Sequence, residues 1–362
     1  MIGGATMAKK STRRDFLRGK AASDAASSAV DRLLPQLGDE SVNGRTLVIS
    51  RPAMAAHFEM CVDATDTHAI EAAWDVLELV GEYESRWSYF RVESEVSAIN
   101  AGAAQEPVSV RGDLFELLRR SRALWEETDG AFDLTATPLW ELWGFARREG
   151  RVPDDAAVAE TLGVVGMDRV ELNAVASTVR FQTLGVRLNL GAIGKGYVVD
   201  RCAERLVAAG VGGFLLSGGL SSMVAHGRPP GGATDGWIVG VRNPLRTDRR
   251  VARLVLRDRA LATSGSYIQS FRFGGKRFGH IIDPRTGWPA DGMLSTTVLA
   301  PTAETADALS TAFYVMGVER AIEFCRSRPE LGAVLIAPAR NRGGWSVHRV
   351  GIADDEWLPE TE

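Results

Sequence analysis

No feature limits the fold more than the stretch LNLGAIGKGYVVDR, Leu188 to Arg201, where glycines at 191, 194 and 196 run into a helical repeat. Val199, Cys202, Ala203, Leu206 and Val207 recur at the spacing of one helix face, which predicts a helix with Gly210 suited to its C-terminal cap. The following GGFLLSGG predicts a short buried strand that ends in glycines. Backbone N–H groups at a helix start bind anions, and Lys195 adds a cation. The phosphate-loop pattern is not met, because Asn189 stands at its first glycine and Gly196 at its Ser/Thr; the dinucleotide fingerprint fails at Val199. The spacing leaves a phosphate role and a plain glycine-rich turn both open.

Around this stretch, short strands and amphipathic helices are mixed. HFEMCV alternates as a strand, with Phe58, Met60 and Val62 on one face and Glu59 and Cys61 on the other. Residues 67–90 carry Ile70, Trp74, Leu77 and Val80 at helical spacing. A second helix is expected over GDLFELLRRSRALWEETDG, with Asp113 as its cap and Ser121 a polar gap in the stripe of Leu114, Leu117, Leu118, Leu124 and Trp125. Strands are expected at RVELN, TVRFQTLGVRLNL, GWIVGVRN, RVARLVLRDRALATS, STTVLAP, AVLIAPA and WSVHRVGI. A helix at ETADALSTAFYVMG has Thr302 as its cap. Antiparallel strands mixed with helices in this order favour an α+β fold over a regularly alternating one.

The chain divides into an arm (1–45), one domain (46–350) and an acidic tail (351–362). In the arm, STRRDFLRGK (Ser11–Lys20) resembles a twin-arginine export motif, but Asp24 and Asp31 interrupt the segment that should be apolar. Export, tethering and cytosolic residence stay open. No apolar run approaches the roughly 20 residues of a membrane span. A net charge of −4 indicates no general basic surface, which argues against a nucleic-acid partner. Cys61, Cys202 and Cys325 have no metal-ligand spacing and read as small core residues.

Two further constellations could carry chemistry. Asp307 and Thr311 lie four apart on one helix face, away from Leu309, Ala312, Phe313 and Met316. A carboxylate and a hydroxyl are hard ligands suited to Mg²⁺, although spacing alone favours a solvated face. GKRFGHIIDPRTGWP, Gly275 to Pro289, places His280 three residues before Asp283 among turn formers. A histidine oriented by a carboxylate is the usual general base, and a rigid turn is the competing reading. A serine-hydrolase site is disfavoured, since TSGSY lacks the nucleophile elbow.

Six segments in register resemble the FAD:protein FMN transferases, the ApbE-type flavinyltransferases. They are WSYFRVESEVSAIN, TDGAFDLT, LNLGAIGKGYVVD, ATSGSY, GKRFGHIIDPRTGWPA and VLAPTAETADALSTAFYVMG, and they span about residues 50–340. The resemblance implies an internally duplicated α+β fold related to tetrahydropterin-binding folds. It implies binding of FAD and Mg²⁺, transfer of FMN to a Ser/Thr hydroxyl of a target protein, and release of AMP. The implied acceptor is a flavoprotein or a redox-complex subunit.

Carried onto this chain, the resemblance makes Met54, Phe90, Ala131, Phe132, Asp133, Asn189, Lys195 and Ile282 flavin-nucleotide contacts. It makes Asp307 and Thr311 side-chain metal ligands and Ala192 a ligand through its carbonyl. His280 with Asp283 is the candidate base or orienting pair. Two positions depart from the family pattern: Ala55-Ala56 follows Met54 in place of Gly-Thr, and Leu220 stands where Asp or Asn is common. FAD hydrolysis to FMN and AMP, and flavin binding without chemistry, are the alternative readings.

Overall fold

The computed structural model describes residues 45–232, 234–266, 269–339 and 344–360. The twin-arginine-like stretch lies outside the described residues. The chain opens with the hairpin β1 (Thr46–Ala53) and β2 (Ala56–Asp63), followed by α1 (Thr67–Trp87). An insertion carries α2 (Glu95–Gly102), β3 (Val108–Ser109), α3 (Gly112–Glu127), α4 (Thr137–Leu142), α5 (Asp155–Leu162), β4 (Val170–Asn173) and β5 (Thr178–Phe181). Then come α6 (Gly194–Ala208) and the strands β6 (Phe214–Gly218) and β7 (Ser222–His226). Next are β8 (Trp237–Arg242), β9 (Arg250–Leu256), β10 (Arg259–Gly265), the small hairpin β11 (Ser270–Phe273) and β12 (Lys276–Gly279), and β13 (Ser295–Ala300). The chain ends with α7 (Ala303–Met316), α8 (Val318–Arg326), β14 (Gly332–Pro338), β15 (Trp345–Val350) and β16 (Trp357–Pro359).

One eight-stranded sheet in the order β1-β2-β6-β7-β10-β13-β14-β15 organises the domain, and its pairings are antiparallel. Its two halves repeat one plan. β1-β2 and β6-β7 flank α1 and α6; β10-β13 and β14-β15 flank α7 and α8. This is the α+β architecture, with the duplication the resemblance implies. Helices cover one face of the sheet. The other face is covered by β8, β9 and β16, which form a separate three-stranded sheet.

Burial on both faces explains β2. Phe58, Met60 and Val62 enter the helix-side core, and Cys61 enters the core against the outer sheet. The acidic C-terminal segment supplies β16, which pairs with β9. It is therefore part of the outer sheet and not simply a tail.

Several local expectations need correcting. In α1 the buried positions include Ala69, Ala73, Val76, Leu77 and Val80, while Ile70 and Trp74 are half-buried. Ala69 and Ala73 take the buried face in the first turns, and Leu77, Val80, Tyr83 and Trp87 continue it, while Ile70 and Trp74 flank it. Asp113 does not cap α3, whose N-cap position is Arg111. Its carboxylate instead takes two hydrogen bonds from Arg86, at 2.6 and 2.8 Å. Ser121 is fully buried, and its hydroxyl donates to the Leu117 carbonyl at 2.8 Å, so the gap in the stripe is satisfied by backbone. Val207 is exposed, while Val199, Cys202, Ala203 and Leu206 are buried as expected.

The strand expected over TVRFQTLGVRLNL ends at Phe181. Beyond it the chain is irregular and is held by the Asn100 side chain, which accepts from Leu188 N and donates to Leu188 O.

Candidate functional site

A cavity of about 290 Å³ lies where α6 of the first repeat meets α7 of the second. The approach of the two helices requires Gly196. A β-carbon there would lie 2.2 Å from the Ala303 carbonyl oxygen and 2.8 Å from Asp307 Cβ. Because the contact is bare, Gly196 N–H donates to Asp307 Oδ2 at 3.0 Å. In a helix begun one residue earlier, that N–H would bond to Ala192 O. The helix begins at Gly194, and the Ala192 carbonyl takes no hydrogen bond among the described residues.

Asp307 is 4 % exposed, which overturns the solvated-face reading of α7. A buried carboxylate needs compensation. Gly196 N–H, the positive end of α6 and Lys195 Nζ, 3.9 Å from Oδ2, provide it. Lys195 also donates to Gly191 O at 3.4 Å. Ala192, Lys195, Asp307 and Thr311 all line the cavity. Among the described residues no three His, Cys, Asp or Glu side chains converge on one point. The oxygens at this wall include the Asp307 carboxylate, the Thr311 hydroxyl and the Ala192 carbonyl, which has no hydrogen-bond donor among the described residues. That donor set fits a hard divalent cation such as Mg²⁺ completed by phosphate or water.

The flavin-contact candidates divide. Ala131, Phe132, Asp133, Asn189 and Ile282 line the same cavity. Asp133 turns its carboxylate inward, accepting from Thr135 N at 2.7 Å and from Thr135 Oγ1 at 2.6 Å. Burial pushes its pKa up to about 6. Asn189 Oδ1 accepts from Gly191 N at 2.9 Å and so shapes the glycine turn. Met54 and Phe90 do not line the cavity. Phe90 is 71 % exposed beside Tyr89. Met54 begins the tight β1–β2 turn, and its N–H donates to Glu84.

His280 lines the cavity, but the pairing expected with Asp283 is not formed. Both Asp283 oxygens accept from the Arg285 guanidinium at 2.8 Å, and Oδ1 also accepts from Arg285 N. Asp283 builds the turn that brings Ile282 opposite Pro289. Arg285, two residues away and always cationic, outcompetes an imidazole for the carboxylate.

His280 instead sets Nδ1 3.1 Å from the Gln269 carbonyl. A carbonyl only accepts, so Nδ1 carries the proton and Nε2 is left with its lone pair. Burial, opposed by that hydrogen bond and reinforced by the charge of Lys195, lowers its pKa. The imidazole is neutral at neutral pH. Trp140, Ser221, Thr263 and Ser264 complete parts of the lining. None of these four stood out by spacing, although Thr263 and Ser264 lie within the ATSGSY segment.

Residues 54–335 match the ApbE family. The chain is 33% identical over 311 residues to the FAD:protein FMN transferase of Treponema pallidum, covering 82% of this chain and 85% of the relative. It is 31% identical over 278 residues to that of Klebsiella pneumoniae, covering 76% and 85%. Among solved structures, the ApbE protein of Thermotoga maritima superposes with a TM-score of 0.76 at 30% identity, over 84% of this chain and 97% of that one. The flavin transferase ApbE of Vibrio cholerae gives 0.73 at 27% identity, over 84% and 97%.

Proposed function

The chain belongs to the ApbE family, and from that premise we propose that it transfers FMN from FAD to a Ser/Thr hydroxyl of an acceptor protein and releases AMP. The observation that carries this reading is the wall on which Ala192, Lys195, Asp307 and Thr311 meet, within the cavity that also holds His280. Asp307, Thr311 and the Ala192 carbonyl would hold Mg²⁺. When bound, Mg²⁺ supplies neutralisation of charge on the pyrophosphate.

The chain's own residues account for the remaining steps. The glycine turn lets a phosphate approach the start of α6, where Lys195 stands as a fixed cation. His280 Nε2 takes the proton of the attacking hydroxyl. The hydroxyl oxygen bonds to the FMN phosphorus, the bond from that phosphorus to the bridging oxygen breaks, and AMP leaves with that oxygen. Neutral His280 suits this role, because a protonated imidazole has no lone pair to offer.

The acceptor is a separate protein, which the resemblance describes as a flavoprotein or a redox-complex subunit. Water in place of its hydroxyl would make the same site an FAD pyrophosphatase. To test the reading, the protein is incubated with FAD, Mg²⁺ and a Ser/Thr-containing acceptor, and the acceptor mass and AMP are followed together. An acceptor heavier by one FMN less water, matched mole for mole by AMP, is expected. AMP with an unmodified acceptor supports hydrolysis instead. FAD retained without AMP counts against both and leaves a binding protein. Asp307→Ala is expected to abolish AMP release.

A further inference from the structure

Thr311 begins a line of hydroxyls that runs away from the cavity. Its Oγ1 is 3.2 Å from Ser264 Oγ, which is 2.8 Å from Ser310 Oγ. The Ser310 hydroxyl donates to the Asp307 main-chain carbonyl at 2.9 Å. A carbonyl only accepts, and a hydroxyl has one proton to give. With its proton on Asp307 O, Ser310 must accept from Ser264. Ser264, donating to Ser310, must accept from Thr311. This assignment, chosen because the carbonyl end can only accept, runs the protons one way and leaves Thr311 only lone pairs to turn toward the cavity. The far end is shielded from water: Ser310 is fully buried, and the acceptor of its hydroxyl is main chain.

We propose that Ser264 and Ser310 are positioning residues that make Thr311 an acceptor-only ligand, so that this wall takes a divalent cation and not a phosphate oxygen. The inference rests on the reading of Asp307, Thr311 and the Ala192 carbonyl as the oxygen set for flavin transfer. A threonine free to rotate could donate its proton to a phosphate. With that proton committed behind it, the hydroxyl can only accept, and it meets a cation without first reorienting. Ser264 also lines the cavity, but its own proton is directed at Ser310.

The test is a Mn²⁺ titration of the full-length protein in the presence of FAD, with free Mn²⁺ read by electron paramagnetic resonance. Ser264→Ala is expected to weaken Mn²⁺ binding about 10–100-fold, the range for loss of a group that orients a ligand. The thermal midpoint in EDTA should fall by only a few degrees, the cost of one lost hydrogen bond in a fold that is kept. Ser310→Ala is expected to weaken Mn²⁺ by a smaller factor, since Ser264 can still accept from Thr311 but no longer must. Wild-type Mn²⁺ affinity in both serine variants, beside its loss in Thr311→Val, overturns the proposal. Wild-type affinity in Thr311→Val itself removes the oxygen-set reading beneath it.

Discussion

Gly196 N–H donates to Asp307 Oδ2 at 3.0 Å, a bond that joins the first turn of α6 to the middle of α7 across 111 residues of sequence. One hydrogen fixes the carboxylate, and among the described residues no backbone donor reaches the Ala192 carbonyl. The glycine is thus as much a part of the site as the residues whose oxygens face the cavity.

Gly196→Ala should therefore lose more than a methyl group's worth of stability. The added carbon meets backbone, which cannot rotate away, so the helices must part. Overpacking of this kind costs about 1–3 kcal/mol. A drop in the thermal midpoint together with weakened Mn²⁺ binding is expected. A variant as stable as wild type would mean that the two helices are not held this closely.

His280 and Asp283, three residues apart, should separate in their effects. His280→Ala is expected to slow single-turnover FMN transfer by about 10²–10⁴-fold while FAD still binds, the usual contribution of a general base. Asp283→Asn breaks only the partly exposed pair with Arg285 and should cost about 1 kcal/mol or less. Its transfer rate should stay near wild type. Equal losses of rate in the two variants would restore the pairing that the structure replaces.

The transfer rate should fall on the acid side of neutrality, because His280 titrates below its ordinary value of 6.5. The neutral base is present above the folded pKa and is lost as pH drops through it. A profile that is flat across pH 7–8, with an acid limb that disappears in His280→Ala, is the expected result.

Stability should show the opposite trend. Burial raises Asp200 from 3.8 to about 7, where it accepts from Ala303 N and Glu304 N at the start of α7, and raises Asp133 to about 6. Both groups hold a proton more tightly folded than unfolded. Their contribution is complete below pH 3.8 and is lost as pH rises through 6 and 7. Asp63 and Asp113, which are lowered, act below 3.8; His280, lowered from 6.5, works against the decline inside the window, one group against two. Urea midpoints should decline from pH 4.5 to 7.5, and Asp200→Asn should flatten the slope.

Ala55 sits at φ 57 beside Met54 at φ 52, in the two-residue turn joining β1 to β2. This is the position where the family pattern has glycine. Ala55 is exposed, so no packing is lost on its removal. Ala55→Gly should raise stability by up to about 1 kcal/mol, as relief of the left-handed strain outweighs the added freedom of the unfolded chain. Leu220, at φ 59 in the β6–β7 turn, packs partly on the outer core, so the same exchange there should gain less.

Much of this architecture is legible one residue at a time. The cap at Thr302, the helix over Ala303–Met316 and the strand Phe214–Gly218 follow from local pattern, because local pattern is what forms them. Asp307 was not legible that way. Its apparent polar face is covered by a helix that arrives from the other repeat, and only the register of the whole chain indicates its role. Spacing misled at His280, where a carboxylate three residues away suggested a partner. Nothing in the three-residue interval records that Arg285 holds that carboxylate, or that Gln269 lies behind the ring.

Ala192 and Lys195 belong to the first repeat; Ser264, Asp307 and Thr311 belong to the second. The wall they line is therefore a seam, equivalent to a subunit interface whose two subunits share one polypeptide. Such a site is lost by parting as readily as by unfolding. A substitution that loosens the seam, with every strand and helix still in place, would silence the protein while its circular dichroism spectrum stayed that of the native chain.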